Sequence, residues 1–246
     1  MSNLHKLYKQ YKVLGLILAR GGSKSIPKKN IKLLGGKPLL AHTVEKAKAA
    51  KYIDRLILST DDKEIADVGR KYGAEVPFTR PAELAEDSTT DYPVFVHAVE
   101  WLEKNENWKP DFVVHLRPTH PFRKTSDIDK AVEMLAGNPE ADSVWTVGLP
   151  PVTPYKMFLA EEGQFIKPVV TIPGVDEAYN LPRQKLPKAY NHYGQVDVMR
   201  HNTLMKKKSM CGKNILPLFL EGELVDLDTL FDWEFAEFLM KKGKIR

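Results

Sequence analysis

A single cysteine, Cys211, occurs in the 246 residues. One thiol excludes an internal disulfide framework and any cysteine-based zinc cluster, and it fits a reducing compartment. No apolar run approaches the ~20 residues needed to cross a membrane. The apolar stretch Val13–Ala19 follows a basic, polar segment, Met1–Lys12. A signal peptide calls for a longer apolar core and a small-residue cleavage site, so the expectation is a soluble, cytoplasmic protein with no membrane partner. Internal repeats and low-complexity segments are also missing. Acidic residues are absent from Met1 through Val44, although the same stretch carries nine Lys and Arg. Aromatic residues are absent between Tyr11 and Tyr52. A polynucleotide surface usually interleaves aromatics with its basic stripe for stacking, so nucleic acid is not the expected partner.

What is present is ordinary globular material. Hydrophobic residues make up 43% and charged residues 28%, with a net charge of +5. Such composition argues against disorder. The length suits one large α/β domain, or a domain with an excursion.

Val13–Ala19 is continuous and apolar, as expected of a strand buried on both faces of a parallel sheet. Pro38 opens a helical pattern through about Ala50. Leu56–Leu58 reads as a second strand. Thr60 or Asp61 is expected to cap the helix that ends near Tyr72-Gly73. Ala74–Phe78 reads as a short third strand. Asp91–Lys104 reads as a helix with Val94, Phe95, Ala98, Val99 and Leu102 on its apolar face. Phe112–Leu116 is a strand, Ser126 caps a helix through about Leu135, and Ser143–Val147 is a strand. This alternation implies right-handed β-α-β units and a three-layer α/β/α fold with a mostly parallel sheet.

The alternation then breaks. Leu149–Tyr193 holds seven of the 17 prolines and no long helical pattern. The expectation is a single domain over residues 1–246 with an excursion at about 149–193, too short to bury much of its own surface. Val196–Met199 and Leu224–Leu227 are read as strands returning to the sheet. Thr229–Lys241 is read as a closing helix with Phe231, Phe235, Phe238 and Leu239 inward. Trp145 is assigned to the core.

Ligands of such sheets sit at the carboxyl ends of the strands. Arg20-Gly21-Gly22, Ser59-Thr60-Asp61 and Arg117-Pro118-Thr119 all fall there. The first is the richest: Ala19-Arg20-Gly21-Gly22-Ser23-Lys24-Ser25-Ile26-Pro27-Lys28-Lys29-Asn30. Glycines after a buried strand let backbone N–H groups approach a phosphate. Lys24, Lys29 and the forked donors of Arg20 can neutralise its oxygens. The spacing is neither that of the Walker loop nor that of the dinucleotide fingerprint. Near the other end, Asp226-Leu227-Asp228 is a candidate metal pair, because residues two apart in a strand share a side. His115 and His120 are not expected to share a metal.

From Leu16 to Thr43 the sequence resembles the signature of CMP–sialic acid synthetases (acylneuraminate cytidylyltransferases) and of relatives that activate 3-deoxy-octulosonate and other nonulosonic acids. Further matches follow in order: Ser59-Thr60-Asp61-Asp62, Arg80-Pro81-Ala82-Glu83-Leu84, Arg117 to Arg123, Arg183-Gln184, and Val225 to Thr229. The resemblance spans about Val13–Leu239. It implies the nucleotide-diphospho-sugar transferase type of fold, with the excursion buried between subunits of a homodimer. It implies that a sugar hydroxyl attacks the α-phosphate of CTP with Mg²⁺, so that pyrophosphate leaves. The nucleotide would be held by Ala19, Arg20, Gly21, Gly22, Ser23, Lys24, Lys29, Asn30, Arg80, Thr89 and Arg117. The acidic sugar would be held by Lys156, Arg183, Gln184, Tyr193 and Gln195. Asp226 and Asp228 would hold the metal, and Lys24, Arg183 and Asp228 would serve the reaction. A forked Arg183 suits a carboxylate.

Three places depart from the sialic-acid type. Arg117 stands where that type has Gln, His120 where it has Ser, and Asn191-His192-Tyr193-Gly194-Gln195-Val196-Asp197 where it has Asn-Gly-Ala before an apolar strand. The departures fall on the acceptor side and predict that N-acetylneuraminate is a poor substrate. Two other readings stand beside this one. The same fold could use another nucleotide or acceptor, such as a sugar phosphate or phosphonate. A non-catalytic nucleotide- or polyanion-binding relative is the reading from outside enzymes.

Overall fold

The computed structural model describes residues 10–222 and 225–244. Among them, those of Met1–Thr146 and Tyr193–Arg246 form one compact unit, and Val147–His192 form a second.

The first unit is built on a six-stranded sheet. In chain order its strands are β1 (Val13–Leu18), β4 (Arg55–Ser59), β5 (Phe112–His115), β6 (Ser143–Gly148), β9 (Asn191–Arg200) and β10 (Ile215–Phe219). Two small ribbons supply β2 (Leu33–Leu34) paired with β3 (Lys37–Pro38), and β7 (Phe158–Leu159) paired with β8 (Lys167–Pro168). The sheet order is β10-β6-β9-β5-β1-β4. β1 runs parallel to both β4 and β5, whereas β9 returns antiparallel to β5.

The helices are α1 (Leu39–Lys48), α2 (Lys63–Tyr72), α3 (Asp91–Glu106), α4 (Thr125–Ala136), α5 (His201–Met205) and α6 (Leu230–Lys241). Side chains alternate across a strand, and both faces of β1 are covered. Val13 and Ile17 join a core with Leu40 and Val44 of α1 and with Ile128 and Val132 of α4. Leu14 and Leu16 join a second core with Phe95, Val99 and Leu102 of α3. That two-sided burial explains the unbroken apolar run and gives the three layers.

Local details differ from the sequence reading. The cap of α2 is neither Thr60 nor Asp61 but Asp62, whose carboxylate accepts the Ile65 N–H at 3.0 Å. Asp61 is engaged elsewhere, as described below. α4 begins at Thr125, one residue before Ser126, and its cap residue Lys124 offers no side-chain hydrogen bond. Ala74–Phe78 does not extend into a strand; it makes one bridge, Glu75 to Ile57.

Leu224 lies outside the described residues. Val225–Leu227 is not paired into the sheet; among its ties is Leu227 N–H to the Thr119 carbonyl at 3.0 Å. The additional sheet strand is β10, hidden in the sequence by Pro217, which suits an edge position. α6 is rotated from expectation. Trp233, Ala236 and Leu239 are buried, while Phe231, Phe235 and Phe238 are exposed, Phe231 by 75%. Both sets follow helical spacing, so periodicity alone could not choose the face. Trp145 is half-buried, not a core residue.

The second unit holds the β7–β8 ribbon. Phe158 and Tyr179 meet edge to face there, with ring centroids 5.1 Å apart. Ala178 and Leu186 are buried, but Leu149, Leu159, Phe165 and Ile166 are more than half exposed.

Candidate active site

The loop after β1 is held from below. The Ala19 N–H bonds the Ser59 carbonyl at 3.1 Å, and buried Asn30 donates from Nδ2 to the Arg20 carbonyl at 3.0 Å. Asn30 therefore closes the loop as well as lining its cavity. The two glycines do different things. A Cβ on Gly21 would lie 2.8 Å from the Asp62 carboxylate, so this glycine is set by a close approach from the α2 cap. Gly22 faces open space. The Gly21 N–H is already spent on Asp61 Oδ1 at 3.0 Å.

The loop's cations meet carboxylates. Asp87 bonds Arg20 at 2.7 Å and contacts Lys24. Lys24 foremost, with Arg20, holds the Asp87 carboxyl below the usual range. Arg20 also donates to the Ala85 carbonyl at 3.3 Å. Lys29 reaches across the chain to the Leu227 carbonyl at 2.9 Å and to Asp228 Oδ1 at 3.3 Å. It thus ties the loop to the acidic segment.

In that segment Val225 and Leu227 are buried against Ile26, Leu34 and Trp233, and Asp226 and Asp228 are exposed. The alternation expected of a strand survives without sheet pairing, and both carboxylates share a side. The protein around Asp226 pushes its pKa up. The Thr119 hydroxyl opposes this by donating to it, and the charge of Asp228 adds to it. Among the described residues no three His, Cys, Asp or Glu gather in a metal-binding group. A pair of carboxylates fits a hard ion such as Mg²⁺, which takes one or two carboxylates and completes its shell with phosphate and water. It does not fit zinc, which wants three or four protein ligands.

The end of β5 carries a second network. Arg117 donates to Asp197 at 2.8 Å and to the Gly194 carbonyl at 3.0 Å, and lies 3.5 Å from Asp91. Gly194 has φ +66, and a Cβ there would sit 2.4 Å from Arg117 Nη1. The unusual residues 117, 194 and 197 are therefore one structural unit: a cation, its buried counter-ion, and the space that lets them meet. Arg123 is wholly buried and donates to the Arg117 and Gln195 carbonyls. Burial lowers its pKa to about 9, which leaves it charged at neutral pH. His120 is buried too, its Nδ1 3.2 Å from the Val225 carbonyl and its Nε2 3.7 Å from Asp226. Burial pulls its pKa down to about 3, so it is a neutral ring.

These parts line a cleft. A cavity of 380 Å³ is walled by Leu18, Arg20, Ser23, Lys24, Lys29, Asn30, Asp91, His115, Arg117 and Thr119, among others. A neighbouring cavity of 220 Å³ shares Leu18, Arg20 and Asp91 with it, and adds Arg80, Leu84, Glu86, Asp87, Thr89 and Val94. Arg80 is buried, with Nε on Ser59 Oγ at 3.1 Å and Nη2 on the Ser59 carbonyl at 2.6 Å. Burial lowers its pKa to about 10.

So Arg20, Ser23, Lys24, Lys29, Asn30, Arg80, Thr89 and Arg117 come together. Gln195 is buried and lines a separate cavity with Phe122, Lys124 and Phe219. Tyr193 is half-buried on β9. Lys156, Arg183 and Gln184 are exposed residues of the second unit, where Arg183 Nη2 donates to the Pro150 carbonyl at 2.7 Å. Sequence reasoning gave no role to Asp91 or Asp87, and it placed Asp61 at the ligand end of its strand without its bond to the Gly21 N–H. Asp91 opens α3 and carried only the signal of an acid in a first helical turn.

A cytidylyltransferase family profile matches residues 14–206. A CMP-N,N'-diacetyllegionaminic acid synthase of Legionella pneumophila is 34% identical over 94% of this chain and 97% of its own. A pseudaminic acid cytidylyltransferase of Campylobacter jejuni is 32% identical over 94% of this chain and 97% of its own. Among solved structures, the CMP:2-keto-3-deoxy-manno-octonic acid synthetase complexed with CTP superposes with a TM-score of 0.70. It covers 94% of this chain and 99% of that one at 17% identity, a likeness of fold. Shared sequence over nearly the whole length, on a shared fold, settles the kinship: this chain belongs to the cytidylyltransferase family, among the synthetases of CMP-activated nonulosonic acids.

Proposed function

We propose that the protein transfers CMP from CTP to the hydroxyl of an acidic, nonulosonate-like sugar. The hydroxyl oxygen bonds the α-phosphorus, the bond to the β-phosphate oxygen breaks, and pyrophosphate leaves. The observation that carries this reading is the cleft itself, with Arg20, Lys24 and Lys29 on its glycine-loop wall and Asp226 and Asp228 joined to that wall through Lys29 and Thr119.

The cations neutralise the triphosphate, and Lys24 follows charge onto the departing pyrophosphate. The smaller cavity suits a single-ring base between Leu18, Leu84 and Val94. Arg80 is the donor for the cytosine carbonyl and N3. Asp226 and Asp228 would hold Mg²⁺, which when bound supplies Lewis-acid charge at the phosphate oxygens. Asp228, the more exposed of the two, is assigned the proton of the attacking hydroxyl. Arg183 and Lys156 are assigned the acceptor's carboxylate, with Gln184 and Tyr193 shaping the rest. We read the two units as one catalytic domain and its excursion.

Three results are expected. Mg-CTP at a hundredfold excess over its Kd should stabilise the fold by about 2.7 kcal/mol through linkage, with smaller shifts for ATP and GTP. Equal shifts for all three nucleotides would remove the cytidine assignment. Across N-acetylneuraminate, its deaminated analogue, 3-deoxy-octulosonate and N,N'-diacetyllegionaminate, kcat/KM for N-acetylneuraminate should be low. A site that hydrogen-bonds a group discriminates strongly against analogues that lack it. A clear win for N-acetylneuraminate would overturn the reading of residues 193–195. Finally, the exposed apolar residues of the second unit support a homodimer, the common closed assembly. Light scattering at micromolar concentration should give twice the chain mass; a fully active monomer would refute it.

A further inference from the structure

Every cation of the phosphate cradle is met by a carboxylate of the same chain. Lys29 is held by Asp228 and a carbonyl. The Gly21 amide is held by Asp61. Arg20 and Lys24 share a single carboxylate, Asp87. Asp87 belongs to the segment between Leu84 and Asp91, which lines the smaller cavity. That segment grips Arg20 twice, through the Ala85 carbonyl and through Asp87. It is itself braced by Thr89, which donates from its hydroxyl to the Glu83 carbonyl at 3.0 Å and from its N–H to the Glu86 carbonyl at 3.2 Å. The Asp87 carboxylate therefore bridges the two cations that face the cavity, where a phosphate would bridge them.

The geometry points to Asp87 as an internal competitor for the phosphate cradle, a residue that sets which anions are admitted and how fast the leaving anion departs. The inference rests on the assignment of Arg20 and Lys24 to the triphosphate. An incoming anion must displace Asp87 from both cations. A Mg-CTP molecule can do so because the base pocket and the acidic pair add contacts beyond the cradle. Inorganic phosphate or pyrophosphate has the cradle alone. After transfer, Asp87 returns to Arg20 and Lys24 and helps expel pyrophosphate. Both ion pairs are substantially exposed, so the competition is modest and sensitive to salt.

The test is isothermal titration of the full chain with Mg-CTP and with pyrophosphate, at low and high salt, for the wild type, Asp87→Ala, Asp87→Asn, Glu83→Gln and Arg20→Gln. Asp87→Asn keeps the shape and loses the charge, so it guards against a folding failure of the alanine variant. Both Asp87 variants should bind pyrophosphate more tightly, on the order of fivefold at low salt. The gain should shrink at high salt, and pyrophosphate should become a stronger product inhibitor. CTP should tighten less. Glu83→Gln, which removes a nearby negative charge from outside both cavities, should match the wild type. Unchanged or weaker pyrophosphate binding in both Asp87 variants, with Arg20→Gln still weakening it, overturns the competitor role and leaves the cradle standing. Arg20→Gln binding both ligands as the wild type does would overturn the cradle assignment and the competitor role together.

Discussion

Asp226→Asn and Asp228→Asn should each lower kcat by roughly 10²–10³-fold, the loss typical of removing a group that stabilises charge in a transition state. The fold should survive, because both side chains point away from the core that Val225 and Leu227 enter. Single-turnover measurements should place the loss on the chemical step, with CTP binding changed far less. The two substitutions should also not add: once one carboxylate is gone, the other has little left to hold. Asp226 should relax toward a normal pKa in Asp228→Asn only in part, since the surrounding protein outweighs its neighbour's charge. A double variant that keeps magnesium-dependent turnover would remove the pair from the site.

Arg117→Met should destabilise the protein by about 3 kcal/mol, at the lower end of the range for breaking a buried ion pair, because Arg117 is only partly buried. It takes the Arg117 cation, 2.8 Å away, from the nearly inaccessible Asp197 carboxylate. For a chain of this size that is a fall in Tm of roughly 6–12 °C. Gly194→Ala should act through the same unit, since its Cβ would occupy the place of Arg117 Nη1 and its φ is left-handed. The double variant Arg117→Gln with Asp197→Asn should recover much of the loss, because neither charge then remains buried alone. A double variant as unstable as the sum of the singles would mean that the two residues are not coupled. Acceptor kcat/KM in the double variant reports whether the unit also reads the sugar.

Much of this was legible in the residues. The glycine-containing loop is long and its cations are unopposed by local acids, so the cradle stood out. Val13–Ala19 read as a strand because two-sided burial leaves an unbroken apolar run, and this one is too short for a buried helix and is followed at once by glycines. The face of α6 was not legible, because its seven large apolar residues form two stripes and only tertiary contact selects one. Asp87 and Asp61 were hidden for a different reason. Each is an ordinary loop acid in sequence, and its importance arises from a partner far away in the chain: the Gly21 amide, 40 residues from Asp61, and the Arg20 guanidinium that Asp87 meets. Arg117, Gly194 and Asp197 were seen one by one as departures. Their unity is a matter of distance in space, which spacing along the chain does not carry.

The bond from Lys29 to the Leu227 carbonyl joins residues 198 positions apart, and it gives the site a date in the life of the chain. At 5–20 residues per second, the glycine loop leaves the ribosome about 10–40 s before the acidic segment that completes it. During that interval Ile26, Leu34 and Leu39 lack the cover later given by Val225, Leu227 and Trp233. The nascent protein gains β9 and β10 only near the end of that interval; until then it holds no finished cleft and exposes a greasy patch beside its most basic loop. Activity therefore begins late, and that patch is where a chaperone or a misfolded neighbour would take hold first.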